Sequence, residues 1–306
     1  MGISQYIKEI GRGPRGSKPL TREQAADLFG QLLDGNVTDL EIGAFCLAMR
    51  IKGETPEEMC GFLGAAHSRM ALFPASDRPV IVLPSYNGAR KLPVLTPLLA
   101  LLLAREGLPV LLHGMRTEAR RTLASDVLLA LGVPALTAPE KIATGSVAHI
   151  ETGYLHAALA RLLKVREVVG LRNAGHSIVK LMNPCAGPAV VVTSYTHPEY
   201  YDMLQATFGA LHMTALLSRG LEGEVATDPR RTPRYDALVA GVHQLLQEQQ
   251  PGTAADVPGL PTEIDIDTTA RYTQDVLDGR LPVPPALAQQ VEHILHLAAQ
   301  TPPHAP

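Results

Sequence analysis

Near residue 79 the apolar pattern of the chain changes its period, and that change limits the fold more than any other feature. Before it, apolar residues follow helical spacing. After it, short continuous apolar runs alternate with helical segments. Val80-Ile81-Val82-Leu83 is the first such run, of the kind that a strand buried on both faces requires. A helix from Thr96-Pro97 to Glu106 follows, ended by Gly107, then a strand from Pro109 to His113 and a helix from Glu118 to Leu131, ended by Gly132. A strand near Val147 to Ile150 comes next, with helices from Leu155 to Gly170 and around Ser177 to Met182. Val190 to Ser194 reads as strand, His197 to Leu211 as helix with Thr196 as its N-cap, and Met213 to Ser218 as strand. This alternation predicts an α/β fold: a doubly wound, mainly parallel sheet with flanking helices.

The first 73 residues read as helical. Thr21 precedes Gln24, Thr38 precedes Glu41, and Thr55-Pro56 precedes Glu58, and each is a capping box at a helix start. Gly35 and Gly53 are the matching stop signals. A short amphipathic segment, Ile3-Tyr6-Ile7-Ile10, lies ahead of them. After the sheet pattern, residues 251–262 form a linker or surface loop, two helices follow near Thr268 to Asp278 and Pro285 to Ala299, and Thr301 to Pro306 is expected to be disordered.

With no Trp and 4% aromatic residues, the core must be built from Leu, Val, Ile and Ala. Cys46, Cys60 and Cys185 have no paired spacing, so they read as core residues in a reducing compartment rather than as a disulfide framework or a metal site. The N-terminus has no signal-peptide pattern, and the longest apolar run, Leu92 to Ala104, is too short to span a membrane. A cytoplasmic location is expected. The net charge of −3 hides an uneven distribution: the balance is +4 over the first 235 residues and −7 over the rest. Such a distribution hints at an anionic partner, or at chance clustering.

Ligands of doubly wound sheets bind beyond the carboxyl ends of the strands. That rule selects three loops. The first is Pro84-Ser85-Tyr86-Asn87-Gly88-Ala89-Arg90-Lys91, where Asn87-Gly88 can turn backbone N–H groups inward and Arg90 and Lys91 add charge, as a phosphate cradle or as an ordinary βα turn. The second runs from His113-Gly114-Met115-Arg116 to Arg120-Arg121. The third holds Arg219 and Glu222-Gly223-Glu224; its acids could bind Mg²⁺ but read better as surface acids paired with Arg230 and Arg231. A fourth segment, Arg172-Asn173-Ala174-Gly175-His176 to Lys180, places His176 and Lys180 on one helical face.

The order of these segments resembles the anthranilate phosphoribosyltransferase fold, shared with nucleoside phosphorylases, over nearly the whole chain. His113-Gly114-Met115-Arg116 stands where those enzymes have Lys-His-Gly-Asn-Arg, and His156-Ala157-Ala158 where they have His-Pro-Ala. Arg172-Asn173 and Asn183-Pro184 also match. The departures are functional. Pro84-Ser85-Tyr86-Asn87-Gly88 replaces Gly-Thr-Gly-Gly-Asp, Pro93-Val94-Leu95-Thr96 replaces Asn-Ile-Ser-Thr, Leu112 replaces the Lys, and Glu222-Gly223-Glu224 replaces an adjacent Asp-Glu metal pair. Losing glycines where diphosphate meets backbone, and losing the Lys, makes phosphoribosyl transfer unfavourable. Lys8-Glu9-Ile10-Gly11-Arg12-Gly13, the 84–91 loop, Leu95 to Ala100, Arg172-Asn173, His176 and Lys180 are similar to the YbiB subfamily.

That resemblance implies a homodimer built through the helical domain, binding nucleic acid with little sequence preference and favouring single strands, with no catalytic residue, metal or cofactor, and linked to the DNA-damage response. The expected organisation is a helical domain of residues 1–73, joined by helices from about 160 to 187, and an α/β domain from the rest. Lys8, Arg12, Arg90, Lys91, Arg116, Arg172, Lys180 and Arg219 would meet phosphates, together with Asn87, Gly88, His113, Asn173 and His176, while Tyr86 would stack on a base. The alternatives are a transferase or phosphorylase acting on a phosphorylated sugar or nucleoside, with Mg²⁺ and with His113 or His176 as acid–base groups, and a scaffold with a relic pocket.

Overall fold

The computed structural model describes residues 2–13, 15–254 and 256–301. Most of the expected disordered tail, residues 302–306, lies outside them. Four helices open the chain: α1 (Ser4–Ile10), α2 (Arg22–Leu33), α3 (Asp39–Lys52) and α4 (Pro56–His67). All three expected capping boxes form, at Thr21, Thr38 and Thr55. Three of the chain's five phenylalanines converge there, Phe29, Phe45 and Phe62, with ring centroids 5.0–6.2 Å apart. Glu58, fully buried, accepts from the Leu20 and Thr55 N–H groups and from the Lys52 ammonium at 2.6 Å, so its charge is fully matched.

The remaining elements are β1 (Val80–Pro84), α5 (Thr96–Arg105), β2 (Val110–Gly114), α6 (Ala124–Ala130), β3 (Ala135–Leu136), β4 (Val147–Glu151), α7 (Thr152–Leu155), α8 (Ala157–Val169), α9 (Ala174–Leu181), β5 (Ala189–Tyr195), α10 (Glu199–Ala210), β6 (Ala215–Arg219), β7 (Tyr235–Val239), β8 (Val242–Gln247), α11 (Ile266–Leu277) and α12 (Pro285–Gln300). The strands form one sheet in the order β3-β4-β2-β1-β5-β6-β7-β8, parallel from β3 to β6 and antiparallel at β7 and β8. Strand side chains alternate between two cores. Val80 and Val82 face the core shared with the helical bundle, while Ile81 and Leu83 face the core under α5, α11 and α12. Helices α8 and α9 return to the bundle, touching α2, α3 and α4, and α9 also lies on β1 and β5.

Two expectations change and one element is added. The helix expected from Glu118 begins only at Ala124, because Ala89 and Thr122 exchange backbone hydrogen bonds and hold that stretch extended. The helix expected from His197 begins at Glu199 after Pro198, and Thr196 does not cap it. The β7–β8 hairpin is unannounced in the sequence. Its turn, Ala240-Gly241, holds both residues at positive φ (46° and 82°), with Ala where Asn, Asp or Gly usually signals the turn. All three cysteines are buried with free thiols, and burial pushes Cys46 and Cys185 up to about 12. Among the described residues, no helix is long and apolar enough to cross a membrane.

One surface feature stands out. Leu40, Leu47 and Ile51 are exposed on a single face of α3, and Leu40 is 82% exposed. Apolar cavities flank this stripe on both sides: one lined by Ile42, Leu162, Val165 and Val168, the other by Ile7, Ile10 and Ala44.

Candidate functional site

The sheet winds outward in both directions from β1 and β5. β2, β4 and β3 lie on one side and β6 to β8 on the other, so the reversal point falls between β1 and β5. Connections leaving a reversal point diverge and open a crevice at the carboxyl ends. The three loops chosen from the sequence meet there. The Ser85 N–H donates to the His113 carbonyl at 2.8 Å, Arg121 donates to the Gly88 carbonyl, and the 222–224 segment lies on the 85–91 loop.

The acids of that segment point inward, which corrects their assignment as surface groups. Each oxygen of Glu224 accepts from two donors. Oε1 takes the N–H groups of Asn87 (3.1 Å) and Gly88 (2.8 Å), and Oε2 takes the hydroxyls of Ser85 (2.6 Å) and Thr96 (3.0 Å). Glu222 Oε2 accepts from the N–H groups of Arg90 (2.8 Å) and Lys91 (2.9 Å), with the guanidiniums of Arg121 and Arg90 at 3.7 and 3.8 Å from Oε1. Arg230 and Arg231 pair with Asp228 instead. Gly223 makes the approach possible: its φ is +84°, and a Cβ there would run into the Asn87 amide nitrogen. A divalent cation does not fit this pair, since both oxygens of Glu224 are already saturated by donors. Among the described residues, no three His, Cys, Asp or Glu side chains gather to hold a metal.

Beside the loop lies a cavity of about 380 Å³ between the bundle and the sheet, lined among others by Arg50, Tyr86, Arg172, His176, Lys180 and Thr196. The Lys180 ammonium donates to the Ser194 carbonyl at 2.7 Å; burial and the nearby Arg172 charge push it down to about 8. Arg172 donates to the side-chain amide oxygen Oδ1 of Asn87 and stands over the Tyr86 ring, 5.9 Å from its centroid. A second cavity, of about 390 Å³, adjoins the first at Thr196 and is lined by Lys91, Arg219, Arg230 and Arg231. Among the described residues, no carboxylate pairs with Arg50, Lys91, Arg172, Lys180 or Arg219.

Several expected binding residues have other employment. Tyr86 is 3% exposed, its ring packed under Arg172 and edge-on to His176, so it offers no open face to a base. His113 is fully buried, and burial pushes it down to about 3. Asn173 caps α9, accepting from the Gly175 N–H while its amide donates to the Leu162 carbonyl. His176 Nδ1 accepts from the Asn173 N–H; burial first, then Arg172, drives the ring down to about 3. Lys8 lies on α1, whose partner is α3, and Arg12, just past the end of that helix, pairs with Glu9. Arg116 pairs with Asp126. Lys91, Arg172, Lys180 and Arg219 do line the two cavities, whereas Arg90 pairs with Glu222. Sequence reasoning did not select Arg50, Ser85, Thr96 or the inward role of Glu224. Thr96 carried one signal, as a hydroxyl kept at the start of the helix facing the loop.

Replacing Glu224 with Ala strands buried donors, each costing about 1–3 kcal/mol when left unmet, so the variant should lose roughly 3 kcal/mol of stability. A urea unfolding curve checks this, and an unchanged midpoint would show that the carboxylate is not structural.

The described helical bundle agrees with a known domain family: residues 4–70 match the glycosyl transferase family helical bundle domain. The chain is 37% identical to the uncharacterised protein YbiB of Escherichia coli strain K12, covering 95% of this chain and 92% of that one. It is 30% identical to the anthranilate phosphoribosyltransferase of Methylobacterium sp. strain 4-46, covering 90% and 82%. The crystal structure of anthranilate phosphoribosyltransferase from Thermus thermophilus superposes with a TM-score of 0.71 at 21% identity, over 97% of this chain and 87% of that one. The chain belongs to the anthranilate phosphoribosyltransferase-like family of glycosyl transferases and is a homologue of YbiB.

Proposed function

We propose that this protein binds single-stranded nucleic acid with little sequence preference and does not transfer phosphoribose. One observation carries the reading: two cavities that share the Thr196 wall bring together Arg50, Arg172, Lys180, Lys91 and Arg219, five cations without carboxylate partners among the described residues. An array of separated charges along a connected groove suits an extended polyanion better than one small substrate. Burial pushes the Glu54 carboxyl on the same wall upward, which reduces the negative charge that opposes an incoming phosphate. The overall pI of about 6.4 does not oppose this reading, because the walls of the two cavities carry seven Lys and Arg side chains against four carboxylates.

A second reading has the relatives behind it. Curated homologues such as the Methylobacterium sp. strain 4-46 protein are named anthranilate phosphoribosyltransferase, and transfer to an amine or a base acceptor would fit that name. The filled 85–91 loop weighs against it, since backbone N–H groups there already hold carboxylates. In the main reading the protein acts as a homodimer through the helical bundle. The exposed Leu40, Leu47 and Ile51 stripe on α3 supports this, because a continuous apolar face between two apolar cavities suits a second copy.

Fluorescence anisotropy with a labelled single strand across a salt series tests the binding. Neutralising about four phosphates gives a log–log slope of roughly −3, and Lys91→Ala with Arg219→Ala should reduce it by about 1.4. No binding at low salt would overturn the reading, and turnover of phosphoribosyl diphosphate with any amine or base would establish the second. The pH dependence has a definite sign. Lys180 is charged below about 8 and attracts phosphate only in that form, so affinity falls as pH rises from 7 to 9, and Lys180→Met flattens the profile. Light scattering tests the dimer: Leu47→Glu should give a folded protein of half the native mass.

A further inference from the structure

We propose that His197 and Tyr200 form the base-contacting wall of the groove, a two-ring platform on which unpaired bases stack, and that this platform selects single strands. The proposal rests on the nucleic-acid reading above and adds a contact that charge does not supply. Phosphate contacts hold duplex and single strand alike, because both present phosphates, whereas a stacking face serves only a strand whose bases are free. A cation-lined groove that prefers single strands therefore calls for an aromatic side chain in its wall. Tyr86, packed under Arg172, has no face to give.

The other aromatic residues are occupied elsewhere. All five phenylalanines are fully buried, and Tyr235 and Tyr272 are buried as well. Tyr6 donates to Asp27 on the bundle, and Tyr154 lines neither cavity. Tyr195 and Tyr201 face each other at 5.5 Å, with Arg234 over the Tyr201 ring. Tyr200 remains. It lines the cavity of about 380 Å³ together with His197, the neighbour of the shared Thr196 wall, and cations stand in both cavities that meet there. The Tyr200 N–H donates to the His197 carbonyl at 3.1 Å, and this turn sets the two rings side by side, centroids 6.4 Å apart with planes inclined at 52°. Tyr200 is half-buried and packed on the core shared with the bundle, so the platform is held in place before a strand arrives. His197 is exposed, and neither ring has another aromatic or cationic partner among the described residues.

The test is fluorescence anisotropy on the full-length protein with three labelled probes of equal length: oligothymidylate, the same strand with its bases removed, and a duplex. The native protein should bind oligothymidylate at least about fivefold more tightly than the abasic strand, and the duplex more weakly than oligothymidylate. Changing His197→Ala and Tyr200→Leu together should cancel the preference for bases and leave the salt slope, which counts phosphates, in place. Tyr200→Phe, which keeps the ring, should retain the preference. Equal affinity of the native protein for the strand and its abasic counterpart overturns the proposal without any variant, so poor folding of the double variant does not shield it. A double variant that discriminates as well as the native chain, or a duplex bound as tightly as the strand, overturns it too. Binding of none of the probes overturns the groove reading as well, so the two failures give different results.

Discussion

One carboxylate organises the carboxyl edge of this sheet. Glu224 reaches across from the β6–β7 connection and takes four donors from the segment that leaves β1 and from the first turn of α5. Buried donors without acceptors are costly, so the 85–91 loop and the 220–227 loop cannot be placed independently. The positions of Asn87 and of the residues that touch it follow. Arg172 is fixed on the Asn87 side-chain amide oxygen, Tyr86 lies under Arg172, and His176 meets the Tyr86 edge. Glu224 also acts at a distance on Lys180, opposing the burial and the Arg172 charge that depress it.

The electrostatics of the crevice divide into two zones. Near the loop, anions and donors are matched within the chain, as in the Arg121–Glu118–Arg166 network and the Glu222 contacts. Outward from Lys180 and Thr196 the walls also carry Arg50, Lys91, Arg172 and Arg219, which have no carboxylate partner among the described residues, beside the matched Arg230, Arg231 and Asp228. Matched charge fixes geometry and has little attraction left for a partner, while unmatched charge in a groove does the reverse.

The sequence made the layered part of the fold legible because its signals are local. Capping boxes at Thr21, Thr38 and Thr55, and the buried run from Val80 to Leu83, need only a few neighbouring residues to act. The meeting of the loops followed from topology, since parallel strands place their exits on one edge. What escaped was long-range. Glu224 reads as a surface acid until the fold carries it to Ser85, 139 residues away in the chain. Tyr86 and His113 read as ligand contacts because loop position was legible and burial was not. The Glu118 helix start failed because pairing between Ala89 and Thr122 overrode local propensity.

The direction of β7 has a consequence for the sign of the crevice. A parallel successor to β6 would have needed a crossover that carried the chain to the opposite edge of the sheet. Because β7 runs antiparallel, residues 220–234 both leave and re-enter at the ligand edge. The reversal keeps a long acidic-and-basic segment over the crevice, where each of its side chains alters the local potential. In this molecule the antiparallel direction of β7 is therefore what brings the chain's own carboxylates, Glu222 and Glu224, onto the loop that leaves β1.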